Sequence, residues 1–313
     1  MNLISIKLKK HITLSRILRP ELSDCLEGKL VSENTSPTLY IVATPIGNLA
    51  DMSQRAIDVL KEVDVIAAED TRHSGYLLQH YSITTPSVSL HEHNEQQRSE
   101  VLLQRLQQGE SVALISDAGT PLISDPGYRL VSLVRSHGVK VTPIPGCCAA
   151  IAALSASGLP SDHFSFEGFL PSKQGARKQV LEALKSETNT LIFYESPRRI
   201  SAALNDMQLI FGAQRQVCLA REITKLHETI KTAPLAELVP WVDSDANQQR
   251  GECVVIVGGA EEKPSADEAE VTRMLAVLLK ELPVKRAAVV ASSLLDVSKN
   301  DAYDLALKLQ QKS

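Results

Sequence analysis

Short apolar runs rich in β-branched residues alternate with stretches of helical spacing from residue 39 to about residue 254, and few folds accept that order. The first run, 39–44, stops at Pro45-Ile46-Gly47-Asn48, so it reads as a buried strand feeding a loop. Residues 53–62 have helical spacing, 63–68 form a second strand, 95–108 are amphipathic, and 111–116 return to strand. Asp125-Pro126 is placed to cap and open a helix running to His137, with Gly138 just past its end and a strand over 139–144. A helix of small residues over 147–157 follows, and Gly158-Leu159-Pro160-Ser161 reads as a break between domains. Beyond it the pattern gives strands at 164–167 and 190–194 and near 217 and 254, with helices over 175–186 and from Arg198. Three short helical patterns, 267–282, 284–295 and 300–311, close the chain.

The expected fold class is therefore α/β: two α/β domains, 37–158 and 159–260, each on a parallel or mixed sheet, with a helical appendix over 261–313. Residues 1–36 lack sustained periodicity and carry Lys7, Lys9, Lys10, Arg16 and Arg19, so a disordered extension is expected there, with an upstream start codon as its simplest source. No apolar segment followed by a small-residue cleavage site marks that extension as a signal peptide. No stretch reaches the roughly 18 apolar residues of a membrane span. The five cysteines show no CxxC spacing, which suggests neither zinc nor a disulfide framework and fits a reducing cytoplasm. A net charge of −4 argues against indiscriminate coating of nucleic acid, so any such binding must be local.

Chemistry concentrates in Ser116-Asp117-Ala118-Gly119-Thr120-Pro121-Leu122-Ile123-Ser124-Asp125-Pro126-Gly127, where a strand ends and a helix begins. Open α/β sheets bind ligands at that edge. Small residues admit a ligand to the backbone, and hydroxyls and carboxylates supply hydrogen-bond partners for a polar one. An ordinary crossover loop with a capped helix is the competing reading. Neither GxGxxG in this loop nor GxxxxGK[ST] anywhere supports a dinucleotide or P-loop site.

Six segments occur in order: ATPIGNLADMSQRA (43–56), AAEDTRHS (67–74), SDAGTPLISDPG (116–127), PSKQGARK (171–178), FYESPRRI (193–200) and REITKLHE (221–228). Together they make the chain resemble the small-subunit ribosomal RNA 2'-O-methyltransferases of the tetrapyrrole methylase fold family, from about residue 38 to the last helices. The resemblance implies two α/β domains with S-adenosylmethionine folded into the cleft between them, no metal, a homodimer, and 2'-O-methylation of a cytidine in the decoding region. Gly119-Thr120-Pro121 stands where the family places Gly-Asp-Pro, so Ser116, Asp117, Ala118, Gly119 and Thr120, with Pro45 opposite, are expected to bind the cofactor. Cys148, Ala149, Tyr194, Glu195, Glu222, Gly251, Glu252 and Cys253 are expected to do so by the same comparison, mostly through backbone groups around the adenine. Ser196-Pro197-Arg198-Arg199 departs from the family's Ser-Pro-His-Arg, which removes an imidazole from position 198, and Ile223 replaces a leucine conservatively.

Methyl transfer to a ribose hydroxyl benefits from a base or from a cation that favours the alkoxide. Glu195, Glu222 and Lys225 are the catalytic candidates, Lys225 only if its pKa is lowered, and the two carboxylates could instead bind cofactor. Arg72, His73, Lys173, Arg177, Arg198 and Arg199 are the candidate RNA-phosphate contacts, each with a solvated face or ion pair as its alternative. Three other functions stay open. Glu69, Asp70, His73, His91 and His93 are the residues from which a metallohydrolase would be built, although no HExxH occurs. Residues 285–309 resemble a helix-turn-helix, as in a nucleic-acid-binding regulator, but the second helix is poor in cations. A methyltransferase of the same fold acting on a tetrapyrrole or other small molecule is the third.

Overall fold

The computed structural model describes residues 36–261 and 268–310, so the extension expected over 1–36 lies outside the described residues except for Ser36. The chain divides into two compact units, the first running to Pro45 and over Leu49–Cys147, the second comprising Ile46–Asn48 and the chain from Cys148 onward.

The first unit is built on β1 (Thr38–Val42), β2 (Val65–Ala68), β3 (Ser87–Ser89), β4 (Val112–Ile115) and β5 (Lys140–Ile144), all parallel in the order β3-β2-β4-β1-β5. The middle strands VIAA and VALI are apolar at every position because helices cover both faces. Ile66, Ala68, Ala113 and Ile115 meet Ile57 and Leu60 of α1 (Gln54–Glu62) and Leu78 of α2 (Thr71–His80). Val65, Ala67, Val112 and Leu114 meet Leu102 and Leu106 of α3 (Glu95–Gln107) and Leu130 and Val134 of α4 (Tyr128–Ser136). Each such buried Leu, Ile or Val contributes about 1.5–3 kcal/mol. From β1 the chain goes on to β2 and from β4 to β5, toward opposite edges of the sheet, so the loops leaving these adjacent strands sit at the edge where α/β sheets take ligands.

The opening of α4 differs from the sequence expectation. Gly127, at φ +124°, is the cap rather than Asp125-Pro126, and the carboxylate of Glu95 accepts from Gly127 N at 3.0 Å and Arg129 N at 2.9 Å. Unpaired N–H groups at a helix start favour an anion, and a carboxylate remote in sequence meets that need as well as an adjacent one.

The second unit carries β6 (Phe164–Phe169), β7 (Thr190–Glu195), β8 (Gln216–Arg221), β9 (Thr229–Pro234) and β10 (Cys253–Val257) in the order β6-β7-β10-β8-β9, with β6 and β7 parallel and the other pairs antiparallel. One face packs on α6 (Gln174–Ala183), α7 (Ile200–Phe211) and α8 (Leu235–Ser244) through residues such as Leu181, Leu204, Met207 and Leu238. The other face packs on α5 (Ala149–Ser157), whose Ala150, Ala153 and Leu154 meet Ile192, Cys218, Ala220, Val254 and Ile256. This moves the domain boundary from 158 to between Cys147 and Cys148: α5 finds its apolar partner on the second sheet, and Gly158, at φ +70°, ends a helix inside that unit.

After residues 262–267, α9 (Glu268–Leu278), α10 (Val284–Leu295) and α11 (Lys299–Gln310) share a core of their own around Val271, Leu275, Ala287, Ala291 and Ala306. Among the described residues no helix is long and apolar enough to cross a membrane.

Candidate functional site

In the first unit the loop after β4 carries backbone strain. Gly119, Leu122, Ser124 and Gly127 have φ of +84°, +74°, +69° and +124°, and for leucine and serine such values cost on the order of 1–3 kcal/mol each. What fixes them is the end of β1: Thr44 N donates to Gly119 O at 2.8 Å, and Gly119 N donates to Thr44 O at 3.0 Å. Thr44 Oγ1 adds a bond to Ser116 O at 3.2 Å, and Thr120 Oγ1 donates to Cys147 O at 2.8 Å. Ser116 and Gly119 are buried, Asp117 and Thr120 half-buried and Ala118 exposed, while Pro45 is buried next to Thr44. The structure thus gathers the six residues 45 and 116–120 in one strained, backbone-tied loop pair.

Carboxylates crowd the same edge. Burial, and then the Glu69 charge, push Asp125 up to about 6, against an opposing hydrogen bond from Ser116. Burial and the Asp117 charge also raise Glu69. Asp117 Oδ1 accepts from Asp70 N at 3.2 Å, and Asp70 is lowered to about 2 by its hydrogen bonds from Arg72. Among the described residues no group of three or more His, Cys, Asp or Glu side chains is arranged to hold a metal ion. His91 instead closes a local turn, its N–H donating to Asn94 Oδ1 at 2.9 Å.

In the second unit, Tyr194 OH accepts from Ala150 N at 3.3 Å, which ties the end of β7 to the start of α5 beside Cys148 and Ala149. Glu195 is buried, and its Oε1 takes Ser196 N and Arg199 Nη2, both at 2.6 Å. Directly opposite Glu195 in the sheet, where β8 ends and β10 begins, Cys253 is buried and its thiol is pushed by burial up to about 12, so it packs as an uncharged group. Burial disfavours the charge of Glu222, but hydrogen bonds from Glu252 N and from Lys225 outweigh it and hold the acid below its ordinary value. For Lys225 the order is the same: burial works against the ammonium, but hydrogen bonds to Glu252 and Glu222 prevail and raise its pKa. Lys225 is therefore an ammonium without a proton-accepting lone pair, and the condition for its use as a base is not met.

The six candidate phosphate contacts separate. Arg177 is buried, its side chain 5% exposed, and it pairs with Asp206 at 2.6 Å, so it supports α6 and α7 and is withdrawn from the RNA-facing set. Arg199 is engaged by Glu195 and by Leu170 O at 3.3 Å. Arg72, His73, Lys173 and Arg198 are exposed, Arg72 in an ion pair with Asp70. Sequence spacing also passes over Arg221, a buried guanidinium that donates to Gln248 Oε1, Arg250 O, His227 O and Thr229 Oγ1 and so ties the β8–β9 connection to the segment that leads into β10. The one hint is its place in the REITKLHE segment.

Residues 38–239 match the family model of Tetrapyrrole (Corrin/Porphyrin) Methylases, and 265–310 match the RsmI C-terminal HTH domain. The chain is 56% identical to ribosomal RNA small subunit methyltransferase I of Pseudomonas aeruginosa over 278 residues, which is 88% of this chain and 99% of that protein. It is 53% identical to the protein of the same name from Escherichia coli O157:H7 over 279 residues, 89% of this chain and 98% of that one. The chain belongs to the ribosomal RNA small subunit methyltransferase I family. Solved structures extend the fold likeness: diphthine synthase has a TM-score of 0.56 at 17% identity, covering 71% of this chain and 90% of its own. The cobalamin biosynthetic enzyme cobalt precorrin-4 methyltransferase has a TM-score of 0.52 at 16% identity, covering 73% and 98%. The family and fold class that the six motifs point to are those found, and the helix-turn-helix likeness over 285–309 lies inside the matched HTH domain, but as the tail of a methyltransferase family rather than of a regulator or a metallohydrolase. As a member of the ribosomal RNA small subunit methyltransferase I family, the chain is a methyltransferase, and its cofactor is S-adenosylmethionine.

The first unit's residues suit that cofactor. Its sulfonium and ammonium are cationic, and burial first, then the mutual charge of the carboxylates at 69, 117 and 125, raises Glu69 and Asp125, penalties on the ionised acids that a cation offsets.

Proposed function

We propose that the chain methylates the ribose 2'-hydroxyl of a cytidine in the decoding region of small-subunit (16S) ribosomal RNA, in the cytoplasm and as a homodimer. The observation that carries this is the extent of identity to proteins named ribosomal RNA small subunit methyltransferase I, which runs through 99% of one of them. S-adenosylmethionine supplies the electrophilic methyl group on its sulfonium. Asp117, Ala118, Gly119 and Thr120, with Ser116 and Pro45, would hold the cofactor through backbone groups and through the field of the acids at that edge. In the second unit Cys148, Ala149, Tyr194, Gly251 and Cys253 hold the adenine, while Glu222 and Glu252 shape the turn beside it. Glu195 orients Arg199, and exposed Arg72, His73, Lys173 and Arg198 take RNA phosphates, since affinity for RNA comes largely from cations on the backbone. Positioning the hydroxyl in line and excluding water are the main tasks of the protein in such a displacement.

The test is transfer of labelled methyl from S-adenosylmethionine to small ribosomal subunits lacking their native methylations, followed by nuclease mapping. Label in a 2'-O-methylcytidine of the subunit is the expected result. Label appearing only in a porphyrinogen run alongside would replace the RNA reading with a small-molecule one. Sedimentation at twice 34.1 kDa checks the dimer.

A pH dependence follows from Asp125. Its folded pKa of about 6 lies above the unfolded value of 3.8, so between those values the folded chain binds the extra proton, and a cationic ligand must expel it. Cofactor affinity is expected to rise about tenfold from pH 5 to pH 7. Asp125→Asn should flatten the profile in calorimetric titrations, and an unchanged slope would remove Asp125 from the site. Without ligand, ionisation of the same acid opposes folding increasingly between pH 3.8 and about 6 and fully above that, so Asp125→Asn should raise the urea midpoint at pH 7.5 and leave it unmoved about one unit below 3.8.

A further inference from the structure

Three short segments of the second unit meet at Lys225. Gly47, in the tip Ile46–Asn48, has φ +144°, and a Cβ built there would fall 2.4–2.9 Å from Cε, Cγ and Cδ of Lys225, so the lysine stem lies directly on the open face of the glycine. The ammonium then reaches past it to Glu222 Oε1 and Glu252 Oε2, each at 2.9 Å. Glu222 Oε1 also accepts from Glu252 N at 2.9 Å, and Glu222 N donates to Glu252 O at 2.9 Å. Gly251, at φ +78°, completes the arrangement: a Cβ there would lie 2.3 Å from the carboxylate of Glu222.

This is more than an exposed ion pair, which would be worth little. Lys225 and Glu222 keep only 25% and 18% of their side-chain surface, and although the Glu252 side chain is 73% exposed, its backbone N–H is bonded to the Glu222 carboxylate. Glu222 and Thr224 are non-glycine residues at φ +52° and +66°, conformations that persist only where surrounding contacts over-determine them. Two glycines without room for a methyl group and two strained residues around one ammonium describe a built junction.

We infer that Lys225 is a positioning residue, an ammonium tie that holds the 46–48 tip, the 222–225 turn and the 251–252 turn in the one arrangement that receives cofactor. The inference rests on the proposed role of the 222 and 251–252 turns in cofactor binding. It gives a segment from the start of the chain a fixed place beside groups nearly 200 residues later in sequence.

The full-length chain with Lys225→Met tests it, because methionine keeps the stem over Gly47 and deletes the charge. The S-adenosylmethionine dissociation constant, by calorimetry, is expected to rise about tenfold while kcat at saturating cofactor stays within about twofold and its acidic pH limb does not move. Lys225→Arg should return the affinity to within about threefold of the parent. Amide exchange at 46–48 and 222–225 should quicken in Lys225→Met and recover in Lys225→Arg. Parent-like affinity in Lys225→Met overturns the inference, as does loss of turnover at saturation together with the acidic limb, which would make the amine a proton carrier. If Lys225→Met does not fold, Gly47→Ala reads the same contact from the other side: a tenfold weaker cofactor supports the tie, and unchanged affinity overturns it. A parent chain that binds no cofactor would sink the proposed function and this inference together, and that result is distinguishable because it appears without any substitution.

Discussion

Gly119→Val is expected to weaken S-adenosylmethionine binding about 100-fold in calorimetric titration and to reduce methyl transfer to small ribosomal subunits in proportion. Gly119 is buried at φ +84°, and both its N–H and its C=O are bonded to Thr44. A β-branched residue cannot adopt that conformation without a cost of about 2–3 kcal/mol, which is a factor of about 100 if the loop must be restored for ligand to enter. The chain would otherwise escape the cost by breaking the Thr44 pairing, and the strained Leu122 and Ser124 would then have nothing to hold them. Gly119→Ala should fall between the parent and the valine variant. Parent-like cofactor affinity in Gly119→Val would show that this loop is an ordinary crossover.

The largest loss of stability is expected from Arg177→Met, about 3–5 kcal/mol in urea unfolding. Arg177 and Asp206 have side chains 5% exposed, with Nη2 at 2.6 Å and Nε at 2.8 Å from the same carboxylate oxygen, and Gln174 Nε2 donates to the other oxygen at 3.0 Å. Burial pushes the Asp206 acid up, but these hydrogen bonds outweigh it and leave the pKa lowered. That contribution is present above the unfolded value of 3.8 and disappears as pH falls through the lower folded value. Deleting only the arginine leaves the buried Asp206 with Gln174 and the longer, half-exposed contact from Lys178 at 3.5 Å, whereas the double variant Arg177→Met/Asp206→Leu removes the buried charges and should regain most of the loss. Equal destabilisation in the single and double variants would mean that the arginine stem, not its charge, does the supporting. Neither variant should change the salt dependence of RNA binding, since the guanidinium is not at the surface.

Most of the α/β pattern is legible because the central strands are apolar throughout and the flanking helices repeat their apolar residues every three to four positions. β2, β4, β7 and β10 all sit where the sequence places a strand. What escapes is chain whose partners are distant. β3 is three residues long, SVS, and β9, TIKTAP, is an edge strand with only partial burial, so neither carries a strong periodic signal. α2 has little apolar spacing, and α8 contains Pro240, which argues against a helix in any local reading. α5 is legible from its run of small helix-forming residues, yet its owner is decided by Ile192, Val254 and Ile256, far away in sequence. The site divides in the same way. The β4 loop announces itself through glycines, hydroxyls and acids, whereas the withdrawal of Arg177 and the fixed protonation of Lys225 depend on Asp206, Glu222 and Glu252, whose proximity no spacing reveals.

The last strand of the second unit to be synthesised is also its central one. β10 enters between β7 and β8, and until Val257 has left the ribosome those two strands have unpaired edges facing each other across a gap. Half of this unit cannot close early while the rest waits, in contrast to the first, whose strands are all present by Ile144. Unpaired apolar edges such as LIFY and VCLA are templates for association with other chains, so the nascent second unit has a period of exposure that a shielding chaperone would shorten. A nonsense mutation just before Cys253 would therefore divide a sheet rather than trim an end, and its product should be found in the insoluble fraction.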